Sequence, residues 1–155
     1  MNVNLIERIR EKWGTIKIID DIKGYNIAID DDLCRERNVS MFWIPFNDFK
    51  TNVQTHMIFL STEVAQLPGH MIRFALYHEL GHIMQFYGVV NTSDDHYIDE
   101  AYADQYAMKQ LGLSVDDVMN IMLSTCGLLA PKHDIDEEQL IARFAALIKL
   151  ENGIS

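Results

Sequence analysis

Between Pro68 and Tyr87 the sequence runs PGHMIRFALYHELGHIMQFY, about five helical turns with Pro68 near the first and Gly88 just past the last. Inside it, His78-Glu79-Leu80-Gly81-His82 forms an H-E-x-x-H pattern, and no other stretch limits the fold as strongly. Residues four apart on a helix lie one turn above each other. His78 and His82 therefore present imidazole nitrogens to one ion if, and only if, this segment is helical. Glu79 falls roughly 100° round the cylinder from His78, beside such an ion rather than on it. A carboxylate in that place can take a proton from a water molecule that the ion activates.

A catalytic zinc takes three protein ligands and keeps one position for water, so a third donor must come from another element packed on the first helix. Glu100 is the expected donor. It lies in a second helical run, IDEAYADQYAMKQL, which Ser93 or Asp94 should cap and Gly112 should close. Asp104, one turn further on the same face, is placed to accept a hydrogen bond from the non-ligating nitrogen of a zinc histidine. Gly81, Ala101 and Ala103 are small enough to let the two helices share an ion. Rival third ligands are His96, Asp94, Asp95 and Asp99, and the ordinary reading of Glu100 is a carboxylate favoured by the helix dipole. An oxyanion donor is also required, for which Tyr97, His96, Tyr77 and Tyr102 all stay open.

The remaining segments surround this pair of helices. Asn4–Trp13 has helical spacing and stops at Gly14, and Thr15–Ile19, Tyr25–Ile29, Val39–Pro45 and Val53–Ser61 read as short strands. Short connections between them favour a small, mainly antiparallel sheet at the amino-terminal end. Ser114 and Asp117 suggest a capping box for a third helix reaching Leu123. Asp134 or Asp136 should open a last helix with Leu140, Ile141, Phe144, Leu147 and Ile148 on one face. Strands first and helices afterwards give an α+β fold, with the sheet packed on the H-E-x-x-H helix in one domain over 1–155. His56, His70 and His133 have no partner at ligand spacing and are expected to be ordinary histidines. The methionines, Met108, Met119 and Met122 among them, are expected to fill the core.

The stretch RFALYHELGH, followed by EAYADQYA from Glu100 to Ala107, resembles the ImmA/IrrE family of zinc-dependent metallopeptidases. The matching positions are Phe74, His78, Glu79, Leu80, Gly81, His82, Glu100, Ala103, Asp104, Tyr106 and Ala107. The resemblance implies a minimal zincin-like domain of gluzincin type. It implies one zinc per chain at His78, His82 and Glu100, with Glu79 as general base. It further implies limited proteolysis of a protein partner, a transcriptional repressor being the substrate class usual in that family, in a cytoplasmic setting.

Charge and cysteine content agree with such a role. Thirteen Lys and Arg face twenty-three Asp and Glu, a formal net charge of −10, which argues against nucleic-acid binding and against an anionic membrane surface. The amino-terminal segment has no apolar core of a signal peptide, and Cys34 and Cys126 are too few and too far apart for a disulfide framework. A cytoplasmic protein with free thiols is expected. The alternative from another class is a metal-containing binding module that docks a regulator or phage protein without cutting it. Glu79 weighs against that reading, because docking makes no demand on a base.

Overall fold

The computed structural model describes residues 25–48, 53–129 and 137–153. It divides into two compact units, Met1–Gln66 and Leu67–Ser155, and the architecture is mixed α+β. The expected helix Asn4–Trp13 and strand Thr15–Ile19 lie outside the described residues.

In the first unit, β1 (Tyr25–Ile29), α1 (Asp31–Glu36), β2 (Met41–Asp48), β3 (Val53–Leu60) and α2 (Thr62–Ala65) follow in that order. The three strands form one sheet in the order β1-β3-β2. The longer ladder, β2 on β3, is antiparallel and runs from Met41 opposite Leu60 to Asp48 opposite Val53. β1 adds a parallel ladder to β3, with Tyr25 opposite His56 and Ile29 opposite Leu60. Chain direction reverses at each short connection, so strands two apart run the same way. Because β3 inserts between β1 and β2, β1 meets a strand of its own direction. Met57, Ile58, Phe59 and Leu60 are all fully buried in this central strand, which is why its sequence alternates only in part. Met57 and Phe59 pack with Ala28, Leu33, Cys34, Phe42 and Ile44, and the Phe42 and Phe59 rings stack at 5.4 Å. Of the acidic run Asp30–Asp32, Asp30 is the N-cap of α1 and Asp31, its first residue, binds the start of α2. The Asp30 side chain accepts from the Leu33 amide, and the Asp31 carboxylate accepts from the amide and hydroxyl of Thr62 at 2.8 and 2.6 Å.

The second unit is helical: α3 (Gly69–Phe86), α4 (His96–Leu111), α5 (Val115–Leu129) and α6 (Glu137–Glu151). Pro68 precedes α3, and Gly88 ends it at φ +77, a left-handed turn closed by the Val89 amide on the Met84 carbonyl. The cap of α4 is Asp95, not Ser93 or Asp94. The Asp95 side chain accepts from the Tyr97 and Ile98 amides, while the Ser93 hydroxyl accepts from the Asp95 amide. Ser114 and Asp117 form the reciprocal pair expected at the start of α5, and the helix then runs past Leu123 to Leu129. Both proposed caps of α6 fall outside the described residues. Of its expected inward face, Leu140, Phe144 and Leu147 do pack inward, joined by Leu150, whereas Ile141 and Ile148 are 65% and 41% exposed. Arg143 lies on the inward side and reaches a buried carboxylate on α4.

Apolar packing joins all four helices, through Met71 and Phe74, Ala107 and Met108, Val118 and Met122, and Ala146 and Leu147. α3 and α4 come closest where Gly81 faces Ala103. A Cβ added at Gly81 would lie 2.9 Å from Ala103 Cα and 3.0 Å from its carbonyl oxygen, so only glycine fits. Among the described residues, no helix is long and apolar enough to cross a membrane.

Candidate metal centre

The close crossing at Gly81 sets the first turn of α4 against the middle of α3. Glu100 thereby meets both histidines of the H-E-x-x-H pattern. Glu100 Oε2 lies 2.8 Å from His78 Nε2, and Oε1 lies 3.4 Å from His82 Nε2. The two Nε2 atoms are 3.1 Å apart, on rings set edge to face. One donor atom from each of these three residues falls within a common 4.8 Å, so the group can hold a metal ion.

The chemistry of the donor set fits a cation. Each imidazole turns Nδ1 toward an oxygen, Asp104 Oδ1 for His78 and Gln85 Oε1 for His82, both at 2.7 Å. Those oxygens accept, so each Nδ1 carries a proton, and Nε2 is the nitrogen whose lone pair a neutral ring offers to a metal. Two lone pairs 3.1 Å apart and a carboxylate against both repel one another unless something positive lies among them. Two nitrogens and a carboxylate oxygen with room left for water is a donor set that zinc accepts.

Metal-free, the site attracts protons for the same reason. Burial works against an imidazolium at His78, but the adjacent Asp104 charge and the hydrogen bonds that the ring donates to Asp104 and Glu100 outweigh it and lift His78 to about 9. His82 moves up as well, burial again opposing and its hydrogen bond to Glu100 prevailing. Burial would raise Glu100, yet the two imidazoles hold its carboxyl well below the usual carboxylate range. Burial likewise opposes ionisation of Asp104, and the Arg143 guanidinium overcomes it. Asp104 is fully buried, and Arg143 holds it at two points, Nη2 to Oδ1 at 2.6 Å and Nε to Oδ2 at 2.9 Å. Arg143 Nη2 also sits 3.3 Å from His78 Nδ1. Both are donors sharing one carboxylate oxygen, so this approach is not itself a hydrogen bond.

The rival ligands lie elsewhere. His96 is exposed with its ring against Tyr97, Asp94 is exposed, Asp95 caps α4, and Asp99 Oδ1 accepts from the Ser93 amide. His56 accepts a hydrogen bond from Trp43 Nε1 in the sheet, His70 is exposed, and His133 lies outside the described residues. Two contributors, Gln85 and Arg143, are missed by spacing arguments that look only for metal ligands. Their signal was present all the same. Gln85 is a lone amide among Ile83, Met84 and Phe86, three places after His82, and Arg143 interrupts the apolar run Leu140–Phe144. A polar side chain inside an otherwise apolar face needs a buried partner. No family model, curated protein or solved structure matches the chain.

Proposed function

We propose that the chain is a zinc-dependent metallopeptidase that makes limited cuts in a protein partner, with a transcriptional repressor as the substrate class. The observation that carries this reading is the trio of His78, His82 and Glu100, with the Glu79 carboxylate one residue along the same helix. The resemblance to the ImmA/IrrE pattern over Phe74–Leu111 supports the peptidase chemistry and suggests the kind of partner.

His78, His82 and Glu100 would hold a zinc ion, which when bound would supply Lewis acidity toward a carbonyl and acidify a water molecule. Glu79 does the proton work. Burial pushes its carboxyl above the usual range, His78, His82 and Arg143 pull it down, and Glu100 adds to the upward shift, with burial prevailing. That shift belongs to the metal-free site; the charge of a bound cation would pull the Glu79 carboxyl down again and keep it ionised, as a base must be. Glu79 accepts the proton of the attacking water and later gives it to the departing amine nitrogen. His78 and His82 would hold the ion through Nε2, while Asp104, pinned by Arg143, keeps the His78 ring in the tautomer that leaves Nε2 to bind.

The test is Glu79→Gln. The amide has the shape of the carboxylate but accepts no proton at neutral pH, so the fold and one zinc per chain should persist while cleavage disappears. Zinc-loaded protein incubated with a peptide library, read by mass spectrometry of new amino termini, measures this. Undiminished cleavage by Glu79→Gln would remove Glu79 from the mechanism. A cellular response that survives Glu79→Gln but not His78→Ala would make the protein a docking module.

A further inference from the structure

We propose that Gln85 is the positioning residue of His82: its amide, anchored on the α3–α4 connection and the first turn of α4, compels His82 to offer Nε2 to a metal. This rests on the metallopeptidase reading of the site.

Gln85 is buried at 9% exposure, and its nitrogen faces three oxygens: the Asn91 carbonyl at 3.0 Å, the Asp99 carbonyl at 3.0 Å and Asp99 Oδ1 at 3.2 Å. Two are backbone carbonyls and the third belongs to a carboxylate that also accepts from the Ser93 amide. All three can only accept. Rotating the amide by half a turn would set Oε1 against three acceptors and leave the nitrogen facing His82, so one orientation is strongly preferred. In that orientation Oε1 lies 2.7 Å from His82 Nδ1 and can only receive its proton. Nδ1 is thereby occupied, and Nε2 is the nitrogen left to bind.

The two histidines are thus oriented by different means. His78 depends on charge, through Asp104 and Arg143. His82 depends on a neutral amide whose donors end on Asn91 in the connection between the two site helices and on Asp99 in the first turn of α4. An amide adds no charge near the metal, whereas a second buried carboxylate would add a full negative charge to a site that already holds Glu100 and Asp104.

The experiment compares Gln85→Met with the wild-type chain, since methionine matches the side chain in length and lacks both donors and acceptor. Zinc affinity is read by competition with a chromogenic chelator, and ¹⁵N-histidine NMR of the zinc-loaded protein reads the protonated nitrogens. Wild type should show His82 metal-bound at Nε2, with a solvent-protected Nδ1 proton. Gln85→Met should lose that protection at His82 alone, keep it at His78, and bind zinc roughly 10–100-fold more weakly. A merely structural role would not separate the two rings in this way. Zinc affinity unchanged in Gln85→Met, with wild type binding one ion, overturns this inference and leaves the peptidase reading standing. Should Gln85→Met fail to fold, wild type alone decides, because zinc bound at His82 Nδ1, or an unprotected Nδ1 proton, overturns it. A wild-type chain that takes up no zinc brings down the peptidase reading and this inference together.

Discussion

At the scale of single residues, the site depends on which atoms can only accept and which can only donate. Glu100 is the carboxylate that reaches both imidazoles, so Glu100→Ala should lose stoichiometric zinc while His96→Ala, at an exposed position, retains it. Metal analysis after dialysis against a weak chelator decides between them, and the reverse pattern would move the third ligand to His96. Asp104 and Arg143 carry a second expectation. Arg143→Met leaves a fully buried carboxylate with His78 as its remaining ionisable partner among these bonds. Breaking a buried pair from one side costs about 3–5 kcal/mol. Chemical denaturation should show a loss of that size for Arg143→Met, and the double variant Asp104→Asn with Arg143→Met should recover part of it. A loss in the double variant equal to the sum of the losses in Arg143→Met and Asp104→Asn alone would mean that the two residues are not coupled.

At the scale of elements, the decisive feature is how closely α3 and α4 approach. The 2.9 Å separation between a Cβ built at Gly81 and Ala103 Cα leaves no space for even a methyl group. Gly81→Ala should force the helices apart, at about 1–3 kcal/mol for overpacking of this kind. Because the crossing also sets Glu100 against His78 and His82, zinc affinity should fall with stability. Ala103→Gly in the same chain should restore little of either, as it removes the Cβ at 3.1 Å but leaves the backbone contacts at 2.9 and 3.0 Å. Thermal melts with and without zinc test the pair, and full affinity in Gly81→Ala would show that Glu100 reaches the histidines without close packing. The inward face of α6 belongs to this scale too: Arg143 shares it with Leu140 and Leu147 and meets Asp104 from there, while Ile141 and Ile148 stay exposed.

At the scale of the whole molecule, metal and protons compete for the same nitrogens. His78 rises from 6.5 to about 9 in the metal-free fold. A raised value means that the folded chain binds the proton more tightly than the unfolded one. The stability it contributes is therefore complete below about pH 6.5 and is lost as pH climbs through about 9. Zinc needs that nitrogen free, so its uptake releases protons and strengthens over the same window. The metal-stripped protein should lose melting temperature between pH 6.5 and 9, while the gap between stripped and zinc-saturated protein widens. Calorimetry across that range measures both curves. A gap that narrows with rising pH would show that zinc does not compete with the His78 proton.

What the linear order determined by itself was local. A four-residue interval on a helix puts two imidazoles on one side, Pro68 and Gly88 bound that helix, and Ser114 with Asp117 caps α5, because each depends on backbone geometry within a turn or two. The α+β character was legible for the same reason, since periods of two and of 3.6 are properties of short windows. The placement of Glu100 was legible in part, as Gly81 and Ala103 announced a close crossing. The partners that hold the imidazoles were decided only by tertiary structure. The Gln85 amide takes its orientation from carbonyls at Asn91 and Asp99, and Asp104 takes its charge from Arg143, thirty-nine residues away on another helix. The parallel β1–β3 ladder is likewise a choice of neighbour, made when β3 enters between two strands. Sequence periodicity reports which face of an element is apolar. Which polar group crosses that face to meet a buried charge depends on energies that exist only once the elements have packed.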